Sequence, residues 1–359
     1  MWRLVMSRRL IAVILLIIVP LVFAGCISSA QLSSPDFSKL YKKTQESVVQ
    51  IKTKKYVDEK DGLRIERHAA SGVVMASRRI AENRFETRVL TNFHVVRNQD
   101  ELYVHTADGK QYRATILGYD ELRDLASLTM TTSQQLQPVV LGESEKLNIG
   151  DWAYLIGNPL GIPWSLSVGR IGNIGKNPLY DTIQFDGGLN KGNSGGALFN
   201  TKGELVGISH RVGGDNIGFA ISARIVKQLW PALERGEVVS HGYIGVTLTE
   251  IGWLDQATAR ALGLSYPPQI EIGVVISDVV PYSSAFFAGL MVGDIIVAIA
   301  RTKITTVEDA QDAIARSGPG TQILLTIIRG NLVKDFIMPV ESAPVSGNKG
   351  PADAALKNS

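Results

Sequence analysis

What most constrains the fold of this 359-residue chain is a succession of short apolar runs, each broken by glycine or a polar turn. Val48–Ile51, Gly72–Met75, Arg88–Leu90, Leu102–His105, Ala153–Ile156, Thr182–Phe185 and Glu204–Ile208 are too short for independent helices and recur between turn residues. Strands this short and this regularly spaced argue for a β-barrel or sandwich. The 35 glycines fit, because tight turns need residues free to adopt positive φ. One helix is expected near the end of this region, at Ala223–Glu234, where Pro231 interrupts or shortens it.

A second unit follows from about Tyr243. Strands at Val274–Ser277, Ile295–Ala300, Gln322–Ile328 and Val333–Met338 alternate with helical stretches at Ser284–Ala288 and Val307–Ser317. Thr306 or Thr305 can cap the latter helix, with Glu308 and Asp309 well placed in its first turn. Two domains plus tails suit the length. With 45% hydrophobic and 20% charged residues the composition is that of folded globular protein, and a net charge of +3 is too small to argue for nucleic-acid binding.

Arg3, Arg8 and Arg9 precede an apolar run from Leu10 to Ala24, closed by Gly25-Cys26. This is the layout of an export signal or membrane anchor in residues 1–27. Phe23-Ala24-Gly25-Cys26 resembles a bacterial lipobox, in which Cys26 would be lipidated, although Phe23 stands where leucine is usual. Alternatively Leu10–Ile27 stays uncleaved as a membrane helix, near the lower length limit for spanning a bilayer. Cys26 is the single cysteine, so no internal disulfide can form. Residues 28–36 read as a polar tether and residues 342–359 as a disordered tail.

The chemistry is carried by three separated segments. Gly192-Asn193-Ser194-Gly195-Gly196 sets a serine among glycines, whose backbone can turn two N–H groups toward one point. Thr91-Asn92-Phe93-His94-Val95-Val96 supplies a histidine directly after a strand, and Asp124-Leu125-Ala126 supplies an aspartate about 30 residues later. Each has a bland reading alone: a turn, a core imidazole, a solvated carboxylate. Together, in the order His94, Asp124, Ser194 within one β-rich domain, they match the chain order of a chymotrypsin-type triad.

With these residues in view, the chain resembles the HtrA/Deg serine proteases, among them the anchored members with one PDZ domain. The likeness covers about Phe37 to Val340 through TNFHVV at Thr91–Val96, DLA at Asp124–Ala126, GNPLG at Gly157–Gly161, GNSGGAL at Gly192–Leu198 and IGFAI at Ile217–Ile221. It implies a mostly β fold, with a chymotrypsin-like double β-barrel at 37–235, a linker at 236–242 and a small α+β PDZ domain at 243–341. It also implies a homotrimer, for which Phe37 and Tyr41 are the available contact aromatics. In that frame Ser194 attacks the scissile carbonyl, His94 is its base, Asp124 orients the imidazole, and the Gly192 and Ser194 N–H groups form the oxyanion hole.

The substrate pocket is expected to involve Leu189, Asn190, Ile208 and His210, suiting a small or medium apolar side chain, with Asp215 nearby. Asn193 stands where trypsin-like zymogens carry an aspartate that pairs with a new N-terminus, so activation by trimming is not expected. Asp186-Gly187-Gly188-Leu189-Asn190 replaces the family's Asp-Ala-Ala-Ile-Asn, Lys191 its proline, and Ser209-His210 its Asn-Thr. In the second unit Tyr243-Ile244-Gly245-Val246 resembles the PDZ loop that holds a C-terminal carboxylate, supported by Ala288-Gly289-Leu290 and Gly293–Ile296. No phosphate-cradling loop appears, and the five histidines show no paired metal-ligand spacing, so neither cofactor nor metal is expected.

These readings converge on an exported, membrane-tethered, ATP-independent endopeptidase of the periplasm or another extracytoplasmic space. It would cleave misfolded or signalling polypeptides and bind peptide C-termini. A peptide-sensing or chaperone-like scaffold with a latent protease is the alternative.

Overall fold

The computed structural model describes residues 34–59, 62–175, 181–214, 217–265 and 273–343, with 211–214 known through the backbone alone. The expected N-terminal signal or anchor with Cys26, residues 344–359 of the expected tail and Asp215 lie outside the described residues. Among the described residues no helix is long and apolar enough to cross a membrane. The compact unit begins at Phe37.

Helix α1 (Phe37–Thr44) leads into the first barrel: β1 (Val48–Glu59), β2 (Gly62–Ala81), β3 (Arg84–Thr91), the single-turn α2 (Phe93–Val96), β4 (Glu101–His105), β5 (Gln111–Asp120) and β6 (Leu125–Thr132). The strands run in the order β5-β4-β1-β2-β3-β6, and pairing of β5 with β6 closes the ring. The second barrel comprises β7 (Trp152–Gly157), β8 (Ser165–Ile174), β9 (Thr182–Phe185), β10 (Ala197–Asn200), β11 (Leu205–Gly214) and β12 (Ile217–Ser222), closed in the order β10-β11-β12-β9-β8-β7.

Side-chain alternation explains both barrels. In β4, Leu102 and Val104 point inward between half-exposed neighbours, and in β9 Ile183 and Phe185 do the same. In β1 the alternation serves two cores. Val49 and Ile51 fill the first barrel, while Val48 joins Val73, Leu90 and Leu125 against Tyr154, Ile156 and Phe199 of the second. The seam between barrels is therefore a packed hydrophobic layer, and the loops above it are held to a fixed geometry.

Helix α3 (Ala223–Glu234) continues through Pro231. Its buried stripe of Ala223, Ile225, Val226, Leu229 and Leu233 packs onto the seam, which outweighs the one helical hydrogen bond the proline forfeits. The expected linker is docked: β13 (Val238–Val239) pairs in parallel with β5. Phe37 and Tyr41, both half-buried, also make contacts within their own chain. Phe37 packs edge-on against Trp152 and Tyr154, and Tyr41 donates to the Trp164 carbonyl at 2.9 Å.

In the second unit β14 (Gly242–Tyr243) leads to β15 (Val246–Glu250), α4 (Gln256–Ala261), β16 (Val274–Val279), α5 (Ser284–Ala288), β17 (Ile295–Ile299) and β18 (Thr302–Lys303). Next come α6 (Val307–Arg316), β19 (Gln322–Arg329), β20 (Leu332–Pro339) and β21 (Glu341–Ser342). The main sheet runs β15-β16-β17-β19-β20, which leaves β15 at an edge beside α6. Thr306 caps α6 in a reciprocal capping box with Asp309.

Candidate active site

Four side chains from the two barrels meet above the seam. His94 sits on α2 and Asp124 on the turn between β5 and β6; Ser194 lies on the loop before β10 and His210 within β11. His94 Nδ1 lies 2.6 Å from Asp124 Oδ2, and the His94 backbone N–H donates to Oδ1 at 2.7 Å. The aspartate is held by its backbone as well. Its carbonyl accepts from Asn92 Nδ2 at 3.0 Å and from the Phe93 N–H at 3.2 Å, and its φ of 51° is unusual for a non-glycine residue.

His210, expected at the substrate pocket, also reaches the aspartate. Its Nε2 lies 3.0 Å from the same Asp124 Oδ2, so the carboxylate serves two imidazoles. Burial works against ionising Asp124, but hydrogen bonds from His210 and His94, together with the His94 charge, prevail and hold its pKa at about 2. Ser194 Oγ donates to the His210 carbonyl at 3.3 Å, and among the described residues it makes no bond to His94.

Gly192 has φ 101°, and a Cβ there would collide with the Asn158 carbonyl oxygen; Gly195 has φ 82°, and a Cβ there would strike the Ser71 carbonyl. Neither position admits another residue without moving backbone. The Lys191 carbonyl accepts from the Leu160 N–H at 2.7 Å. Because the peptide is planar and trans, the Gly192 N–H then points the opposite way. Among the described residues neither the Gly192 nor the Ser194 N–H has a protein acceptor.

Two further residues hold this framework: Ser71, which carries no signal of its own in the sequence, and Asn158. Ser71, fully buried, donates Oγ to the Gly192 carbonyl at 2.8 Å, accepts from the Asn158 N–H at 2.9 Å, and gives its own N–H to the Ser194 carbonyl at 2.9 Å. Asn158 belongs to the GNPLG motif, and its Nδ2 reaches the Val49 carbonyl at 3.1 Å. Together they fix the glycine loop to the first barrel.

The four residues expected at the substrate pocket differ in exposure. Ile208 has no exposed surface and belongs to the seam, while Leu189 packs in the second-barrel core with Ile183, Phe185 and Ala220. Asn190 is exposed. Periodicity places such residues near the serine, but which side chain turns inward depends on the partner strand.

Tyr243, Ile244, Gly245 and Val246 do share a cavity, of about 310 Å³, with Ile314 and Leu122 among its other walls. Gly245 has φ 83°, and among the described residues the Ile244 and Gly245 N–H groups lack a protein acceptor. This is a concave apolar groove with two free donors at one end, beside an edge strand.

Comparison with known proteins agrees with this architecture. Residues 70–208 match the family described as trypsin-like peptidase domain, and residues 242–340 match the PDZ domain. The chain is 34% identical over 266 residues to a probable periplasmic serine endoprotease, DegP-like, of Chlamydia pneumoniae, covering 71% of this chain and 53% of that protein. It is 31% identical over 251 residues to the periplasmic pH-dependent serine endoprotease DegQ of Escherichia coli, covering 67% and 54%. It thus spans about half the length of these relatives. Among solved structures, the HtrA-type protease AlgW with decapeptide superposes with a TM-score of 0.70 at 28% identity, covering 86% of this chain and 99% of that one. Fold and site together define a trypsin-like peptidase domain followed by one PDZ domain. The chain belongs to the HtrA/Deg family of serine proteases.

Proposed function

We propose that this chain is an ATP-independent serine endopeptidase of HtrA type that acts outside the cytoplasm on misfolded or signalling polypeptides. In this reading residues 37–235 form the peptidase domain, 236–242 the linker and 243–341 a PDZ domain that binds peptide C-termini. The observation that carries it is the 2.6 Å His94–Asp124 contact beside a serine flanked by two free N–H donors.

The chemistry follows from the geometry. Asp124, ionised at neutral pH, fixes His94 with its proton on Nδ1, leaving the Nε2 lone pair as the base. Catalysis requires Ser194 Oγ to leave the His210 carbonyl for that nitrogen. The alkoxide then attacks the substrate carbonyl while the Gly192 and Ser194 N–H groups stabilise the developing oxyanion, and His94 returns the proton to the leaving amine.

The bond from Ser194 to the His210 carbonyl favours a resting state that is not yet poised for attack, which supports the second reading of a peptide sensor with a latent protease. Periplasmic relatives support an extracytoplasmic site of action, tethered through residues 1–27 by lipidated Cys26 or an uncleaved helix. Assembly as a homotrimer is carried by the family resemblance. The deciding experiment is labelling with a fluorophosphonate probe, with and without hydrophobic C-terminal peptides, against a Ser194→Ala control. Labelling at Ser194 that peptide accelerates is expected. Folded protein that labels under neither condition would leave only the scaffold.

A further inference from the structure

We propose that His94, Asp124 and His210 form a binding site for a zinc-class transition-metal ion, and that the bound ion disables the active centre. The inhibitory half rests on the peptidase reading; the binding half stands on the donor set alone.

The ligand atoms of these three residues lie within 4.8 Å of one another. Two imidazoles and one carboxylate oxygen, with a fourth position open to solvent, are a donor set that suits zinc and excludes calcium or magnesium. Around a tetrahedral zinc, neighbouring ligand atoms stand about 3.3 Å apart. The edges from Asp124 Oδ2 are 2.6 Å to His94 Nδ1 and 3.0 Å to His210 Nε2, so these two must open by less than 1 Å, while the two imidazole nitrogens already lie within 4.8 Å of each other. It has room to do so, since the His94 and His210 side chains are 40% and 26% exposed. Their rings stand 6.1 Å apart and tilted by 48°, so they converge on the carboxylate without stacking. The His94 N–H holds Oδ1, which leaves Oδ2 facing both imidazoles.

The other histidines offer no such site. His68 and His105 share a depression with Lys52, Lys54 and Arg67, whose charges repel a cation, and His241 is engaged with Asp120.

Coordination has a direct chemical consequence. Now the ion takes the lone pair on His94 Nδ1, and the ring proton moves to Nε2; on His210 the proton moves from Nε2 to Nδ1. No proton is gained or lost, but Nε2 of His94 ceases to be a base and Asp124 ceases to orient it. Metal binding and activation of Ser194 are therefore mutually exclusive.

The test uses tag-free full chain. In Ser194→Ala protein, cobalt(II) is expected to give the visible absorption of a tetrahedral site, saturating at one ion per chain and abolished by zinc. In Ser194→Ala/His210→Gln, where glutamine can still donate to Asp124 but offers no imidazole, the absorption is lost and the zinc Kd rises at least about tenfold. If that variant fails to fold by circular dichroism, Asp124→Asn in the Ser194→Ala background is read in its place. In the wild type, micromolar zinc suppresses casein hydrolysis and fluorophosphonate labelling, and EDTA restores both. Unchanged zinc affinity in the variants, or no cobalt spectrum in Ser194→Ala, overturns the site. A wild-type chain inactive even in EDTA would instead overturn the peptidase reading, and the cobalt titration would still decide the metal site.

Discussion

His241 Nε2 lies 2.8 Å from Oδ1 of Asp120, a carboxylate with no exposed surface at the head of the turn that ends in Asp124. The same Oδ1 accepts from the Arg123 N–H at 2.9 Å, and the Arg123 guanidinium stands 3.5 Å from Oδ2. A residue that directly precedes the second unit thus clamps the turn presenting Asp124. Leu122, at the middle of that turn, is also a wall of the Tyr243–Val246 cavity.

Removing the clamp strips a buried carboxylate of one partner. His241→Ala is expected to destabilise the protein by about 3 kcal/mol, within the range for breaking a buried pair from one side. Asp120→Asn/His241→Ala should cost clearly less than the sum of the two single changes, because each single change already breaks the shared contact. Urea unfolding of the three variants measures the coupling. Strict additivity would mean that the contact contributes nothing to the fold.

Leu122 offers a way to separate binding from response. Leu122→Ala removes one wall of the cavity but none of its free N–H donors, so a hydrophobic C-terminal peptide should bind within a few-fold of the wild-type Kd. The acceleration of fluorophosphonate labelling by that peptide should fall much further, since the turn no longer feels the occupant. Equal loss of both would place the coupling elsewhere.

At Gly192 two independent constraints coincide, a φ of 101° and a carbonyl oxygen where a Cβ would sit. Gly192→Ala must shift the loop and with it the free N–H. Labelling of Ser194 by the probe is expected to slow by on the order of 10²–10³, the usual cost of one oxyanion donor. A fold intact by circular dichroism keeps this distinct from unfolding.

The sequence made the parts with local grammar readable. Short apolar runs pointed to a barrel or sandwich, Thr306 was one of two residues offered as the cap of α6, and Ala223–Glu234 was expected at its observed bounds. Pro231 misled, because helix propensity knows nothing of the seam that α3 covers. Helix α4 went unread, being six residues long and without a strong apolar period. The partnership of His210 with Asp124 was hidden for a different reason. It joins residues of opposite barrels, far apart in the chain, and no spacing rule reports a contact made only when two closed sheets are packed together. Ser71 was hidden likewise, since a buried serine in a strand looks like any small residue until its hydrogen bonds to Gly192, Ser194 and Asn158 are seen.

Asp124 links the site to stability as well as to chemistry. Its folded pKa of about 2 lies below the ordinary 3.8, so folding favours the charged form. The resulting stabilisation is present in full above about pH 4 and is lost as pH falls through about 2. A shift of this size corresponds to about 2 kcal/mol at neutral pH for a side chain that is mostly buried. Asp124→Asn carries no titrating group, so the stability gap between wild type and variant should narrow by about 2 kcal/mol between pH 5 and pH 2, with every other carboxylate cancelling in the difference. Urea midpoints of both proteins across that range measure it. In the same variant kcat is expected to fall by about 10⁴, because an amide fixes the wrong tautomer of His94. A gap that stays constant with pH would show that the two imidazoles do not hold the carboxylate charged. A large loss of turnover without any change in the gap would assign Asp124 to orientation alone.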